Sequence, residues 1–299
     1  MGFGNRLFTW ARCRVFAQIH HTKMVAPLWF RPAIGQLWRG GIDYRSYMRQ
    51  LVLLGLFRKR GEDLGFLKGK LLSLNAVKIT EPADLTSRVY EMSDNSKDVE
   101  VVFRGWKKFF EPLNGWHDFL LTELRAITRR GYLDMVDSVD KVPVGICVRC
   151  GNDFREPKSD GYEPLGPIDK TPLKWYIEML SLIRKTVGYQ VPAFVVSDGT
   201  KEQLEKLLCM ENVTFVRPGS AISDLLILAK AKVLLTPGAS SFAAWASFLG
   251  QMPSVSHPGQ PLDTVWRIKN EKEQFIGEFA PHTPREIFLQ QSSEALKKA

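Results

Sequence analysis

The stretch from Lys232 to Leu249, KVLLTPGASSFAAWASFL, changes character twice within its own length. Lys232–Leu235 is an apolar run that suits a buried strand. Thr236-Pro237-Gly238-Ala239 is a turn, and Ser240–Leu249 is rich in small and apolar helix formers. A strand that passes through a glycine turn into a helix is the unit from which parallel sheets are built. The same grammar repeats on both sides. Downstream, Pro253–Ser256 reads as the last strand. Upstream, Ser220–Lys230 reads as a helix with Leu225, Leu226 and Leu228 on its apolar side, and Val213–Val216 reads as a strand. Lys201–Leu208 is a further helix, preceded by the strand Ala193–Val196 and its closing Ser197-Asp198-Gly199. Leu173–Val187 reads as a helical pattern with Pro172 just inside its start and Gly188 at its end, and the first strand is Val144–Val148. Strands alternating with helices predict an α/β domain around a doubly wound parallel sheet.

The N-terminal half is less regular. Leu7–Ile19 reads as a helix, Met24–Ala26 as a short strand, Leu71–Ile79 and Val99–Phe103 as strands, and Phe119–Thr128 as a helix. Residues 30–70 are basic and irregular. Gly2-Phe3-Gly4-Asn5 reads as a glycine turn leading into the first helix, although no strand precedes it. The alternating pattern starts near 140, which divides the chain into domains 1–140 and 141–299. With 44% hydrophobic and 24% charged residues, the 299-residue chain has the composition of a folded soluble protein.

Charge is unevenly spread. Residues 1–70 hold 13 Lys/Arg against 3 Asp/Glu, a net of +10, and the remainder holds 28 against 29, so all the excess positive charge lies in the first quarter. That excess suits an anionic partner: a phospholipid surface, an anionic glycan or, last in order, nucleic acid. A solvated basic face explains it equally well. No RNA-binding aromatic signature or zinc-finger spacing accompanies the charge, so no nucleic-acid partner is expected.

The four cysteines, Cys13, Cys147, Cys150 and Cys209, do not form a disulfide framework. Cys147 and Cys150 make a C-x-x-C, but the pair ends a strand instead of opening a helix, so reduced thiols are expected. The first apolar residues are interrupted by Arg6, Arg12 and Arg14, unlike a secretory signal. Leu51–Phe57 is too short to span a bilayer and reads as buried or as lying on a membrane surface. The expected location is cytoplasmic, with a peripheral contact at the inner face of the membrane through residues 1–70.

In a doubly wound sheet, ligands bind at the loops after the carboxyl ends of the strands. Three such loops hold polar groups. Arg149, followed by Gly151, ends the Val144–Val148 strand, and a guanidinium there suits either a diphosphate or an ordinary ion pair. Asp198 ends the next strand, as an acceptor for a base or ribose or as a helix N-cap. Ser240 and Ser241 open the helix after Gly238, where free amides attract anions and Ser240 also serves as a cap. Together they suit one nucleoside diphosphate, held without a metal. Neither a Walker lysine motif nor an Asp-x-Asp pair is present.

Four segments carry a resemblance. GFGNRLF (2–8), VGICVRCGND (144–153), SDG (197–199) and SDLLILAKAKVLLTPGASSFAAWASFLG (223–250) resemble, in order, the motifs of bacterial alpha-1,2-fucosyltransferases. Protein O-fucosyltransferases are more distantly similar. The resemblance implies a GT-B-like fold of two Rossmann-like domains facing a cleft, the first on the acceptor side and the second binding the donor. It implies an inverting, metal-independent transfer from GDP-fucose, without a cofactor, to an oligosaccharide or lipid-linked glycan acceptor. On this resemblance Arg149 contacts the β-phosphate, Asp198 the guanine, and Ser240 or Ser241 the diphosphate, while Gly4 and Asn5 border the sugar or phosphate. Asp153 is the candidate base beside Arg149, with Asp43, His20 and His21 as further candidates. The chain departs from the family at Cys147, where His is usual, at Asn152 for Asp, and at Arg6 for Gln. The aromatic pair after the serines is reduced to Ala244-Trp245. A transferase using another nucleotide-sugar, and a non-catalytic nucleotide- or carbohydrate-binding protein, are the alternatives.

Overall fold

Leu7, Phe8, Ala11 and Val15 recur at helical spacing and bury one face of α1 (Phe3–Ile19). The helix starts at Phe3, with Gly2 in extended conformation before it (φ −66°, ψ 165°). Gly4 and Asn5 therefore lie inside the first helical turn and do not form the glycine turn expected ahead of it. The computed structural model describes residues 2–27, 29, 56–88, 98–151, 154–157, 162–166, 168–216, 220–282 and 285–297. The expectations for 30–55, Asp43 among them, and for Asn152 and Asp153 fall outside these residues. The chain divides into two compact units, 1–108 with 118–133, and 109–117 with 134–299.

In the first unit, α2 (Phe66–Ser73) takes the first residues of the segment expected as the strand Leu71–Ile79. Leu and Lys are good helix formers, and a strand begins only where the β-branched residues do. That strand, β1 (Val77–Thr80), pairs in parallel with β2 (Val99–Val102), Val77 opposite Val99. The expected strand Met24–Ala26 is reduced to a bridge between Val25 and Leu64. The helix α3 (His117–Ile127) is followed by α4 (Arg130–Asp137).

Arg12 and Arg14, on α1, are buried. Arg12 pairs with Glu81 at 2.9 Å and donates to the carbonyls of Arg104 and Gly105 at 3.1 and 2.9 Å. Arg14 pairs with Asp63 at 2.9 Å and with Glu123 at 2.7 Å, and Glu123 also takes Arg60. Part of the N-terminal positive charge is thus internal and already neutralised.

The second unit is built on one parallel sheet. Its elements are β3 (Val142–Val148), α5 (Leu173–Val187), β4 (Ala193–Ser197), α6 (Glu205–Leu208), β5 (Val213–Phe215), α7 (Ala221–Ala229) and β6 (Ala231–Leu235). They continue with α8 (Ser241–Gly250), β7 (Ser254–Ser256), α9 (Leu262–Trp266), β8 (Ile276–Glu278) and α10 (Glu286–Lys297). The strand order is β5-β4-β3-β6-β7-β8, a doubly wound arrangement whose direction reverses between β3 and β6. The expected helix Lys201–Leu208 is a 3-10 turn, Glu202–Leu204, running into α6. β8 follows the strand expected to be last. It is only Ile-Gly-Glu, too short and too mixed to read as a strand, and its pairing with β7 defines it.

The apolar runs are continuous because parallel strands are covered on both faces. Val144, Ile146 and Val148 of β3, with Val233 and Leu235 of β6, pack under Trp175, Tyr176, Met179, Leu180 and Ile183 of α5. Ala244 and Trp245 are buried core residues, and Trp245 packs edge-on to Phe110 at 4.7 Å.

Replacing Glu81 by Leu strands the buried Arg12 guanidinium without its carboxylate. The expected cost is about 3–5 kcal/mol of stability, read as a lower urea midpoint. A change within about 0.5 kcal/mol, the range of an ordinary surface substitution, would show that the pair is dispensable.

Candidate functional site at the carboxyl edge of the sheet

Because every strand of the second unit runs in the same direction, the residues that follow β3, β4, β6 and β7 all emerge at one edge. Arg149 follows β3, Asp198 follows β4, Thr236-Pro237-Gly238 follows β6, and His257-Pro258-Gly259 follows β7. β3 and β6 are hydrogen-bonded neighbours, with Ile146 opposite Leu235. The Arg149 loop and the turn before α8 therefore leave adjacent strands, about 5 Å apart, on either side of the topological switch.

Arg149 and Asp198 are in direct contact. Arg149 Nη1 lies 2.9 Å from Asp198 Oδ2, and the other carboxylate oxygen accepts the Cys150 amide at 2.7 Å. Asp198 thereby ties the exit loop of β3 to that of β4. The guanidinium lies over the Phe154 ring, 5.2 Å from its centroid, and Gly151 accepts the Phe154 amide at 3.2 Å. About a quarter of the Arg149 side chain is exposed, so the head group is held by its neighbours yet open on one side. Asp198 does not cap the helix that follows. Thr200 and Gln203 take that role by exchanging reciprocal side-chain-to-backbone bonds.

The turn before α8 is tightly closed. A Cβ on Gly238 would sit 1.7 Å from the Gln260 carbonyl oxygen, so only glycine fits. Trp266 Nε1 donates to the Gly238 carbonyl at 2.6 Å, and Ser256 Oγ donates to the Gln260 carbonyl at 2.7 Å. Ser240 caps α8, accepting the Ala243 amide at 3.4 Å. Among the described residues the amides of Ser241 and Phe242 have no acceptor. Two N–H groups and the positive end of the α8 dipole thus point out of the sheet edge, where an anion is favoured.

Gly4 and Asn5 belong to the first unit, in the first turn of α1. His20 Nε2 lies 2.8 Å from the Leu85 carbonyl and its ring packs on Phe16 at 4.2 Å, while His21 is exposed at a positive φ of 51°.

The edge also holds residues not expected from the sequence. His257 is fully buried, and its Nδ1 lies 2.9 Å from the Pro258 carbonyl. Its ring stacks with Tyr162 at 6.2 Å, and Tyr162 packs on His282 at 4.7 Å. Gln260 Nε2 donates to Gly166 and Asp169 at 2.8 and 3.0 Å, pinning the loop after β3 to the loop after β7. A signal was available: His257-Pro258-Gly259 repeats the strand-end pattern of Thr236-Pro237-Gly238.

All four cysteines are free. Burial pushes the Cys147 thiol up to about 12, against the smaller opposing pull of Arg149. Cys150 is also pushed up, mainly by burial, while its contact with Ser197 works the other way. A thiol raised in the folded state holds its proton where the unfolded chain would lose it. Its stabilising contribution is therefore complete below the ordinary thiol range and is lost as pH climbs through that range toward 12.

No protein-family model and no curated protein sequence matches the chain. The second unit is a doubly wound α/β unit with its polar loops at one sheet edge. Among solved structures the chain is similar to the fucosyltransferase NodZ from Bradyrhizobium, at 16% identity over 86% of this chain and 93% of that one, with a TM-score of 0.49. It is similar to POFUT1 in complex with GDP, at 12% identity over 85% and 95% of the two chains, TM-score 0.47. It is also similar to Methanocaldococcus jannaschii UDP-GlcNAc 2-epimerase, at 12% identity and a TM-score of 0.38. That match covers 60% of this chain and less than half, 44%, of the epimerase.

Thiol labelling checks this edge. In the native protein the exposed Cys209 should react first, and Cys147 only on unfolding. Native labelling of Cys147 at a rate comparable with Cys209 would mean that β3 is not buried as described.

Proposed function

We propose that the carboxyl edge of the second unit binds a nucleoside diphosphate-sugar, and that the protein is an inverting, metal-independent glycosyltransferase. The donor is GDP-fucose or a related GDP-sugar, and the acceptor is a hydroxyl of an oligosaccharide or lipid-linked glycan. The observation that supports this most directly is the placement of Arg149 and the α8 N-terminus on neighbouring strands at the topological switch. The GDP and fucose parts of the reading follow the motif resemblance.

In this reading the acceptor oxygen attacks the anomeric carbon from the side opposite the diphosphate. The new C–O bond forms as the bond to the β-phosphate oxygen breaks, and the electron pair leaves with GDP. Arg149 and the amides of Ser241 and Phe242 face the charge that develops on the leaving diphosphate. A guanidinium has five N–H donors, so pairing with Asp198 is compatible with a second anionic partner. Asp198 contributes through its other oxygen as well, by fixing the loop that presents Arg149. Gly151 lets that loop come close to the ligand. Asp153 is the proposed base that takes the acceptor proton, and Gly4 and Asn5 are proposed donor contacts. The setting proposed is polysaccharide synthesis in the cytoplasm, at the inner face of the membrane.

A second reading has one observation in its favour. Cys147 stands where the family has His, and its buried thiol stays protonated, so it supplies no acid–base function near neutral pH. A nucleotide-binding protein without transferase activity is that alternative.

Thermal shift with GDP, UDP and ADP separates the readings. GDP at a hundred times its Kd should stabilise by about 2.7 kcal/mol and should do so selectively. Arg149→Ala should weaken GDP by about tenfold or more, as expected for a lost charge-assisted contact. No response to any nucleotide would overturn the donor site, and unchanged GDP binding by Arg149→Ala would remove that residue from it. GDP binding with neither donor hydrolysis nor transfer to any glycan would favour the second reading.

A further inference from the structure

The helix α2 is packed with its apolar side outward. Its sequence is FLKGKLLS, and the residues it buries are the small ones, Gly69 and Ser73. Leu67, Leu71 and Leu74 are 78%, 68% and 77% exposed, with Leu72 and Val77 also exposed beside them. Positions 67, 71 and 74 follow i, i+4, i+7 and so form one stripe.

Two contacts fix this rotation. A Cβ on Gly69 would lie 2.4 Å from Val25 Cγ1, so that face is closed to any larger residue. Ser73 Oγ donates to Glu100 Oε2 at 2.6 Å. Turning the leucines inward would break the Ser73 bond and force bulk against Val25. The stripe is therefore held outward by the fold itself.

The charges on α2 itself have one sign. Between Leu64 and Thr80 there are three lysines, Lys68, Lys70 and Lys78, and no Asp or Glu. All three are exposed. Of the acids nearby, Asp63 is buried in its pair with Arg14 and Glu81 with Arg12, Glu100 is half-buried opposite Lys78, and Glu62 and Asp98 are exposed. Leucines flanked by Lys68 and Lys70 on the same helix match an anionic bilayer surface: the leucines enter the acyl boundary and the ammonium groups meet the phosphates. A soluble protein gains nothing from a contiguous apolar stripe left in water.

We infer that α2, with the start of β1, is a membrane-docking surface for anionic phospholipid. This deepens the peripheral contact proposed above by naming the residues that make it. It is independent of the nucleotide site, so failure here leaves the GDP result standing.

The test uses the full chain in co-sedimentation with phosphatidylcholine vesicles, with and without phosphatidylglycerol. Binding should require phosphatidylglycerol and weaken with salt. The Leu67→Ser, Leu71→Ser, Leu74→Ser variant should lose binding by roughly tenfold or more, given the apolar area withdrawn. Lys68→Glu with Lys70→Glu should also weaken it. Circular dichroism checks that each variant folds. If the triple variant does not, Leu67→Ser alone carries the test, with a smaller loss expected. Equal binding to neutral and anionic vesicles, no binding to either, or full binding by the leucine variant would overturn the proposal. So would a dimer, dispersed by the leucine changes, in a protein that ignores vesicles.

Discussion

The pairing of β3 with both β4 and β6 is the constraint on which the second unit depends. β3 is buried on both faces and hydrogen-bonded on both edges, so its exit point cannot move without breaking the core. From that fixed point the chain crosses to one side for β4 and β5 and to the other for β6, β7 and β8. In doubly wound sheets the point where the connections leaving neighbouring strands go opposite ways is where ligands bind, and here that point lies between β3 and β6. Arg149 and the turn into α8 stand at that point because they are the first residues after the two strands.

Asp198 carries this rigidity into the loops. One oxygen holds the guanidinium of Arg149 and the other holds the Cys150 amide. An arginine on a loop would otherwise sample many rotamers, and ordering it on binding would cost affinity. Here Asp198 already holds the guanidinium. Gln260 does similar work across the edge, joining the loops after β3 and β7, while its own carbonyl closes over Gly238. The edge is thus a set of loops bonded to one another.

The first unit places charge differently from what its composition suggests. Arg12 and Arg14 go inside, where Glu81, Asp63 and Glu123 meet them. The same carboxylates are thereby withdrawn from the surface. The exposed segment around α2 keeps its lysines, and its leucines face outward because Gly69 and Ser73 are the residues that fit inside. A count of +10 over seventy residues is therefore partly an internal network and partly a surface.

Much of the second unit was legible beforehand. Leu173–Val187 was readable to its ends, since Pro172 and Gly188 mark them. β3, β4 and β6 showed as apolar runs because strands covered on both faces need no polar alternation. β8 was not legible, because Ile276-Gly277-Glu278 is a strand only by virtue of β7 beside it. Nor was α2, whose leucines point outward against the usual rule. The sequence by itself determined the alternation of strands and helices and put Arg149, Asp198 and Ser240 each at the end or start of an element. Local propensity and periodicity suffice for that, being properties of neighbouring residues. Only the tertiary structure decided that Asp198 binds Arg149, that Thr200 and Gln203 cap the next helix, and that His257 and Gln260 share the edge. Apart from the local Thr200–Gln203 cap, those contacts join residues far apart in the chain, and they exist only once strand order brings the loops together.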